Sequence, residues 1–177
     1  MKYIEQASKI RASIKSKQCQ IEEKPGIYRW WFELNMAKTL LGKINFSDIR
    51  KLHSKDIGGK SYVALYFGIS KDMKARAKWH ICQKHSKSQV KHGTLSTLRQ
   101  TLSALLGIDM TKSMQEVNEL IDSCYWEWDY VEDPKTCENR ELKEQTDYAY
   151  PLNIQENITV KKEVLSELKK LRKKFKN

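Results

Sequence analysis

The sequence predicts a single α+β domain with a small sheet and several flanking helices. Short runs rich in aromatic and β-branched residues are typical of strands, and they alternate with segments whose apolar residues recur at helical spacing. A chain of 177 residues can form one domain with its own core, and neither an internal repeat nor a low-complexity linker divides it. We therefore expect one domain over residues 1–177.

The first half of the chain is predicted to contain one helix and two strands. Apolar residues recur along one side of residues 3–17, as in an amphipathic helix. A Pro-Gly pair then starts an aromatic strand over 27–32, and the strongest strand signal is the nearly continuous apolar run 62–69. Between the strands, residues 33–60 are mixed and contain a Gly-Gly turn signal close to their end.

The second half is predicted to be mainly helical. Ser70 is expected to cap a helix that begins at Lys71 and ends near Lys84. Leucines at helical spacing predict another helix over 94–106, which Gly107 ends. The remaining predicted elements are a short helix around 114–121, a third strand over 125–131, a helix that starts at Pro134 and stops at Pro151, and an amphipathic helix over 161–175.

The net charge of +11 is distributed unevenly. Residues 71–99 hold eight basic residues and one acidic residue, and residues 161–177 hold eight basic and two acidic ones. Residues 115–144 between them carry ten acidic residues and three basic ones. Two basic zones around an acidic stretch suit a polyanionic partner together with a local cation site. For the C-terminal run, a simple solvated helix face is the alternative interpretation.

The composition also predicts where the protein works. The four cysteines form no CxxC pair, which is typical of free thiols in a reducing cytoplasm. No apolar run approaches the roughly 18 residues that a membrane span needs, and the N-terminus lacks the apolar segment of a secretory signal. We expect a cytoplasmic protein without a membrane partner.

Two short aromatic motifs carry the strongest functional signal. Gly26-Ile27-Tyr28 begins the first strand, and Tyr66-Phe67-Gly68 ends the second. Arg76 follows Tyr66 by ten residues and His80 by fourteen. An arginine and a histidine four residues apart project from nearly the same face of a helix, so with a tyrosine at a strand end they can converge on one phosphate. The sequence therefore predicts a nuclease.

These residues resemble the GIY-YIG nuclease superfamily over about residues 25–157. The chain departs from the usual pattern by an insertion at about 33–60 and by Phe67, where isoleucine is usual. The resemblance implies a small three-stranded antiparallel sheet flanked by helices. To this core the chain would add N- and C-terminal helices, of which the C-terminal one, over 161–177, is basic.

The resemblance also implies roles for individual side chains. Tyr28 and Tyr66 match the two motif tyrosines, one of which helps to position or deprotonate the attacking water. Arg76 matches the arginine that binds phosphate oxygens, and His80 would accept a proton or bind the phosphate. Asn153 matches a late asparagine that fixes the glutamate helix or a phosphate oxygen.

The metal ligand that the resemblance implies is a single helix glutamate, and two residues qualify. The usual interval of twelve residues before Asn153 gives Glu141, whereas the local string Cys-Glu-Asn-Arg-Glu-Leu-Lys slightly favours Glu138. A carboxylate with few companions suits Mg²⁺ (or Mn²⁺), which keeps several waters and takes further ligands from a substrate phosphate.

We therefore predict a Mg²⁺-dependent DNA endonuclease that hydrolyses phosphodiester bonds by in-line attack of water with one metal ion. It would serve in restriction or defence, or in repair, as a monomer or homodimer. Sequence-independent contacts to the phosphate backbone are expected from Lys74, Lys78, Lys84, His85 and Lys91. RNA is the alternative substrate. The alternative functions are a catalytically inactive nucleic-acid-binding module on the same fold, and a partner-binding domain that uses the C-terminal helix.

Overall fold

A five-stranded antiparallel sheet organises the computed structural model, which describes residues 1–154, 157 and 159–176. The strands are β1 (Tyr3–Gln6), β2 (Gly26–Glu33), β3 (Ser54–Ile57), β4 (Lys60–Ser70) and β5 (Tyr125–Tyr130). Their order in the sheet is β1-β5-β2-β4-β3. The prediction of an α+β fold is confirmed, but three strands were too few. The predicted strands form the centre, β5-β2-β4, and the two short strands flank it.

Both additional strands come from segments in which the local pattern was a poor guide. Residues 3–6 were predicted as helix, but they pair with the edge of β5, where Tyr3 stacks on Trp128 at a centroid distance of 5.4 Å. The helix therefore begins only at Ala7. At the other edge, β3 and β4 form a hairpin through Gly58 and Gly59, whose φ angles of 59° and 78° suit the tight turn.

Helices cover both faces of the sheet. They are α1 (Ala7–Lys15), α2 (Leu34–Gly42), α3 (Met73–Cys82), α4 (Lys87–Lys91), α5 (Thr97–Leu106), α6 (Met114–Ser123), α7 (Pro134–Asp147) and α8 (Lys162–Lys174). The predicted start of α3 needs correction, since the Asp72 side chain accepts the Ala75 N–H at 2.9 Å and caps this helix. Ser70 instead donates to the Asp72 carbonyl at 2.8 Å.

The two faces of β2 belong to different clusters. Tyr28, Trp30 and Phe32 face the main core, together with apolar residues of α1, α3 and α5. Ile27 and Trp31 face a smaller cluster that includes Cys137 of α7. Because side chains alternate along a strand, Tyr28 lies on the face that α3 covers. No helix in the described part of the chain is both long and apolar enough to cross a membrane.

Candidate active site

The glycines of the two motifs are required by close approaches between strands. Tyr28 on β2 is paired with Gly68 on β4, and its ring lies directly over that glycine. A Cβ atom on Gly68 would lie 2.6 Å from the Tyr28 hydroxyl oxygen. A Cβ atom on Gly26 would lie 2.3 Å from the Asp129 carbonyl oxygen of β5. Glycine at position 68 therefore lets the Tyr28 ring lie against β4, and glycine at position 26 lets β2 lie close to β5.

A chain of short contacts extends from Tyr28 into the protein. The Tyr28 hydroxyl oxygen lies 2.9 Å from His80 Nε2, and His80 Nδ1 lies 2.7 Å from Ser96 Oγ. His80 and Ser96 are completely buried. The structure thus brings together Tyr28 on β2, His80 on α3, and Ser96 at the start of α5, residues that are far apart in the sequence.

The buried hydroxyl of Ser96 indicates where the protons lie in the hydrogen-bonded series Tyr28–His80–Ser96. Ser96 Oγ caps α5 by accepting the backbone N–H of Arg99, so its own proton needs an acceptor. His80 Nδ1 is the acceptor at hand. The remaining imidazole proton then resides on Nε2 and is donated to the Tyr28 oxygen, which leaves the Tyr28 hydroxyl proton to point away from His80.

Burial dominates the acid–base properties of these groups. Loss of solvent lowers the pKa of His80 well below its usual value, and the positive charges of Arg76 and Arg99 lower it further. The imidazole is therefore neutral at physiological pH. Burial likewise raises the pKa of Tyr28 well above the usual value for a phenol, which keeps this hydroxyl protonated.

Tyr66 lies next to Tyr28 but at the edge of the buried zone. The two rings stack with centroids 6.2 Å apart, and Tyr66 is half-buried. Burial raises the pKa of Tyr66, whereas the charge of Arg76, hydrogen bonding from Tyr28 and the charge of Arg172 lower it. The charge of Glu141 raises it as well, and the pKa of Tyr66 is raised overall. Three contacts thus oppose the effect of burial at Tyr66 without cancelling it.

Arg76 lines a groove and lies within electrostatic reach of both tyrosines. Met73 and Ala77 of the same helix are buried in the core, whereas the Arg76 side chain is only half-buried. Its guanidinium carbon lies 4.8 Å from the centre of the Trp79 ring, and its Nε lies 3.5 Å from Ser70 Oγ. The groove has a volume of about 780 Å³ and is also lined by Trp79 and Glu138. An arginine in this position is available to an anionic ligand.

Both candidate metal ligands lie on α7 close to this groove. Glu138 is exposed and lines the groove opposite Arg76. Glu141, one turn later, is half-buried, and its negative charge raises the pKa of both Tyr28 and Tyr66. Glu141 is also 3.4 Å from Gln145 Nε2. Glu141 is therefore within electrostatic reach of both tyrosines, whereas Glu138 lines the groove.

A buried ion pair holds α7 in this position. Arg29, which follows the motif tyrosine on β2, donates to Glu144 Oε1 at 2.6 Å. The Tyr150 hydroxyl donates to the other oxygen of Glu144 at 2.6 Å. Glu127 of β5 lies 3.5 Å from Arg29 Nε. Because Glu144 is one turn beyond Glu141, these contacts fix the orientation of the glutamate helix relative to β2.

Asn153 is close to the site, and both ends of its amide are hydrogen-bonded to the main chain. Its Oδ1 accepts the Phe67 N–H at 3.0 Å, and its Nδ2 donates to the Phe67 carbonyl at 2.9 Å. Phe67 lies between the second motif's tyrosine and glycine on β4. Asn153 thus ties the segment after α7 to β4, whereas the sequence suggested a contact to the glutamate helix or to phosphate.

His85 is not available to a nucleic acid, contrary to the prediction. It is buried, its Nε2 accepts from Arg99 Nε at 2.8 Å, and its Nδ1 donates to the Met110 carbonyl at 2.7 Å. Burial lowers its pKa to about 4, so the ring carries no charge that would attract phosphate. His85 instead supports the buried guanidinium of Arg99, which donates to the His80 carbonyl at 2.9 Å.

The four lysines predicted to contact phosphate all lie at the surface. Lys78, Lys84 and Lys91 are exposed, and Lys74 is half-buried in an ion pair with Glu23 at 3.1 Å. Their contact with nucleic acid stays a prediction.

Three residues that the structure places at this site were not predicted from the sequence. Ser96 shows only the pattern of a helix cap, and its contact with His80 depends on the packing of α5 against α3. Trp79 was not singled out, although it stacks on Arg76 and lines the groove. Arg172 was counted only as part of the basic C-terminal run. The one signal for it was its position one turn after the apolar Leu168.

Comparison with known proteins supports the same assignment. A family model described as the GIY-YIG catalytic domain matches residues 26–174, from the start of β2 to the end of α8. No curated protein and no solved structure significantly matches the chain. The matched range includes both motif tyrosines and all the side chains that surround them, and the family is one of nucleases. The chain therefore belongs to the GIY-YIG family of nuclease catalytic domains.

Proposed function

We propose that this protein is a Mg²⁺-dependent (or Mn²⁺-dependent) DNA endonuclease that hydrolyses phosphodiester bonds. The observation that carries the proposal is the setting of Tyr66. This half-buried phenol stacks on Tyr28 and lies within electrostatic reach of Glu141 and of Arg76, and Arg76 lines an open groove. A base, an anion-binding cation and a metal-binding carboxylate within electrostatic reach of one another form the set that phosphodiester hydrolysis needs.

The donor groups fit a hard divalent cation. Within residues 1–154, 157 and 159–176, no three His, Cys, Asp or Glu side chains come together as a complete ligand set. Mg²⁺ is commonly held by one or two carboxylates together with water and substrate phosphate, which matches Glu141 and Glu138. We favour Glu141, since its charge affects both tyrosines. When bound, the cation would neutralise charge on the phosphate and stabilise the leaving oxygen.

In the proposed reaction, the phenolate oxygen of Tyr66 accepts a proton from water. The water oxygen forms a bond to phosphorus while the bond to the leaving oxygen breaks, and the leaving oxygen takes a proton from solvent. The Tyr28 hydroxyl donates toward Tyr66 and so stabilises its phenolate, and His80 and Ser96 hold Tyr28 in that orientation. Arg76 binds phosphate oxygens as negative charge develops on them.

The substrate and the role are part of the proposal. A groove lined by Arg76 and Trp79 offers a phosphate contact and an aromatic face for a base. DNA is our proposed substrate, and RNA is tested beside it. A role in restriction, defence or repair is an analogy based on the fold.

Plasmid cleavage tests this function directly. Purified protein is incubated with supercoiled DNA in Mg²⁺ and in EDTA, using wild type, Glu138→Gln, Glu141→Gln and the double variant. The exposed Glu116 on α6 provides a matched control, Glu116→Gln. We expect Mg²⁺-dependent nicking that Glu141→Gln lowers strongly and the control retains. Nicked rather than linear product indicates that one site acts at a time.

Two results would contradict the proposal. Cleavage that persists in the double glutamate variant would mean that the metal site is elsewhere. Binding of DNA and RNA without cleavage of either would indicate a nucleic-acid-binding module that has kept the fold without the chemistry.

A further inference from the structure

Helix α8 has two differently charged flanks. At 100° per residue, one flank spans an arc of about 100° without an acidic residue, and it carries Lys162, Lys169, Arg172 and Lys173. The opposite flank mixes both signs, and it carries Glu163, Glu167, Lys170 and Lys174. A helix face that only had to be soluble would not need this separation of charge.

The cations of the basic flank have no acidic partner among the described residues. Lys170 on the mixed flank lies 3.8 Å from Glu167. Among the described residues, no member of the basic flank forms an ion pair. Lys162, Lys169 and Lys173 are exposed, and Arg172 is half-buried. This flank is therefore available to an external polyanion.

The packing of α8 places Arg172, one member of the basic flank, against α5. Val164 and Leu168 are buried against the main core, and α8 packs on α5. Arg172 lies one turn after Leu168, and its Nη2 donates to Gln100 Oε1 at 2.5 Å. Gln100 lies one turn after Ser96, the residue that contacts His80. Arg172 thus lies beside the helix that supports the catalytic chain of contacts.

Electrostatics supports this placement. The charge of Arg172 lowers the pKa of Tyr66, although burial and the charge of Arg76 have larger effects on that pKa. The same proximity favours the charged form of Arg172, whose pKa burial lowers. Tyr66 is therefore approached by two arginines, one from α3 and one from α8.

We propose that the basic flank of α8 is part of the nucleic-acid-binding surface, with Arg172 contacting a backbone phosphate next to the bond that is cut. Lys169 and Lys173, one turn apart, bind phosphates farther from the site. The proposal rests on the proposed function, as it assumes that a nucleic acid occupies the groove that Arg76 lines. It assigns no sequence recognition to α8, because lysines on phosphates bind every sequence alike.

The salt dependence of binding tests the flank without any cleavage. Dissociation constants for a short DNA duplex are measured in EDTA between about 50 and 200 mM KCl. The test variant is Lys169→Gln, Lys173→Gln, and the matched control is Lys170→Gln, Lys174→Gln, which removes the same charge from the same helix. Each phosphate contact contributes about 0.9 to the slope of log K against log salt.

We expect the test variant to lower that slope by about 1.8. If test variant and wild type bind equally at 1 M salt, this slope corresponds to binding on the order of 60-fold weaker than wild type at 0.1 M salt. The control is expected to keep the wild-type slope. Equal effects of the two variants would overturn the proposal, because binding would then follow only the total charge.

Arg172 has its own comparison. Arg172→Gln is expected to lower the slope by about 0.9 and to reduce cleavage at saturating DNA, whereas Arg172→Lys keeps the slope. Gln100→Leu removes the hydrogen-bond partner on α5 and is expected to leave the slope unchanged. If Arg172→Gln also leaves the slope unchanged, Arg172 only tethers α8 and the proposal is wrong.

Failure of this inference can be distinguished from failure of the proposed function. A wild-type protein that binds duplex with the expected salt dependence, but whose α8 variants bind equally well, overturns the inference alone. A wild-type protein that binds neither DNA nor RNA overturns both.

Discussion

Replacing Gly68 by alanine should both destabilise the fold and disable the site. The added Cβ atom would lie 2.6 Å from the Tyr28 hydroxyl oxygen and 2.7 Å from Cζ of the ring, where ordinary contact begins at 3.4 Å. The ring or strand β4 must therefore shift by about 0.8 Å, which is 3.4 minus 2.6 Å. Forced overpacking of this kind costs about 2 kcal/mol, or about 6 °C in Tm for a chain of this size.

The same shift acts on the hydrogen bond between Tyr28 and His80, which measures 2.9 Å. A displacement of about 0.8 Å away from His80 would take this contact beyond hydrogen-bonding distance. Misplacement by about 1 Å at an active site can lower the rate on the order of 100-fold. We expect a loss of nicking of that size in Gly68→Ala.

Urea unfolding and plasmid nicking together check both effects. Gly42→Ala is the matched control, because a Cβ atom at the end of α2 meets nothing within 4 Å, and we expect it to keep full stability and activity. Adding Tyr28→Phe to Gly68→Ala removes the atom nearest to the new Cβ but leaves Cζ of the ring at 2.7 Å, so it should restore neither the stability nor the activity. A Gly68→Ala protein with wild-type stability and cleavage would refute the close packing of Tyr28 on Gly68.

Three other predictions concern the residues around this contact. The cleavage rate should increase about tenfold per pH unit from about pH 6 to 9, because only the phenolate of Tyr66 accepts a proton and the pKa of Tyr66 is raised. Tyr66→Phe should abolish this increase. An inflection near pH 6.5 would contradict a His80 that stays neutral. Ser96→Ala should lower the free energy of unfolding in urea by about 1 kcal/mol, because it removes the cap of α5, and it should also reduce nicking. Ser96→Thr should largely keep both the stability and the activity. Full activity in the alanine variant would argue against a role of Ser96 through His80. Glu144→Gln should cost about 3 kcal/mol, since it leaves the buried Arg29 with a weakened set of partners, and a change below about 1 kcal/mol in urea unfolding would show that the ion pair does not anchor α7.

Local patterns predicted the central part of the fold well. The apolar run over 62–69 forms most of β4, and the aromatic run over 27–32 forms most of β2. Both runs are dense in residues that favour strands, and this predicted them correctly. The helix that carries Arg76 and His80 was predicted from a polar cap after the second motif, although Asp72 and not Ser70 caps it. The alternation of the third run predicted β5. Spacing within one helix is enough to place these two side chains on one face.

Edge strands and histidine environments were beyond local patterns. Residues 3–6 have a helical pattern, but an open edge of β5 provides main-chain hydrogen bonds that outweigh it. His80 and His85 are five residues apart and look alike in the sequence. One contacts Tyr28 and the other supports Arg99, and only the packing of α5 and α6 around them separates these roles.

The sequence by itself determined which family this chain belongs to and which two strands and two helices carry its motifs, because motif order and residue periodicity are properties of the chain alone. Tertiary structure decided which groups meet. It placed Ser96 on His80, Arg172 beside Gln100, Asn153 on Phe67, and the charge of Glu141 within reach of both tyrosines. These contacts join segments that are distant along the chain, and only the packing of helices on a shared sheet brings such segments together.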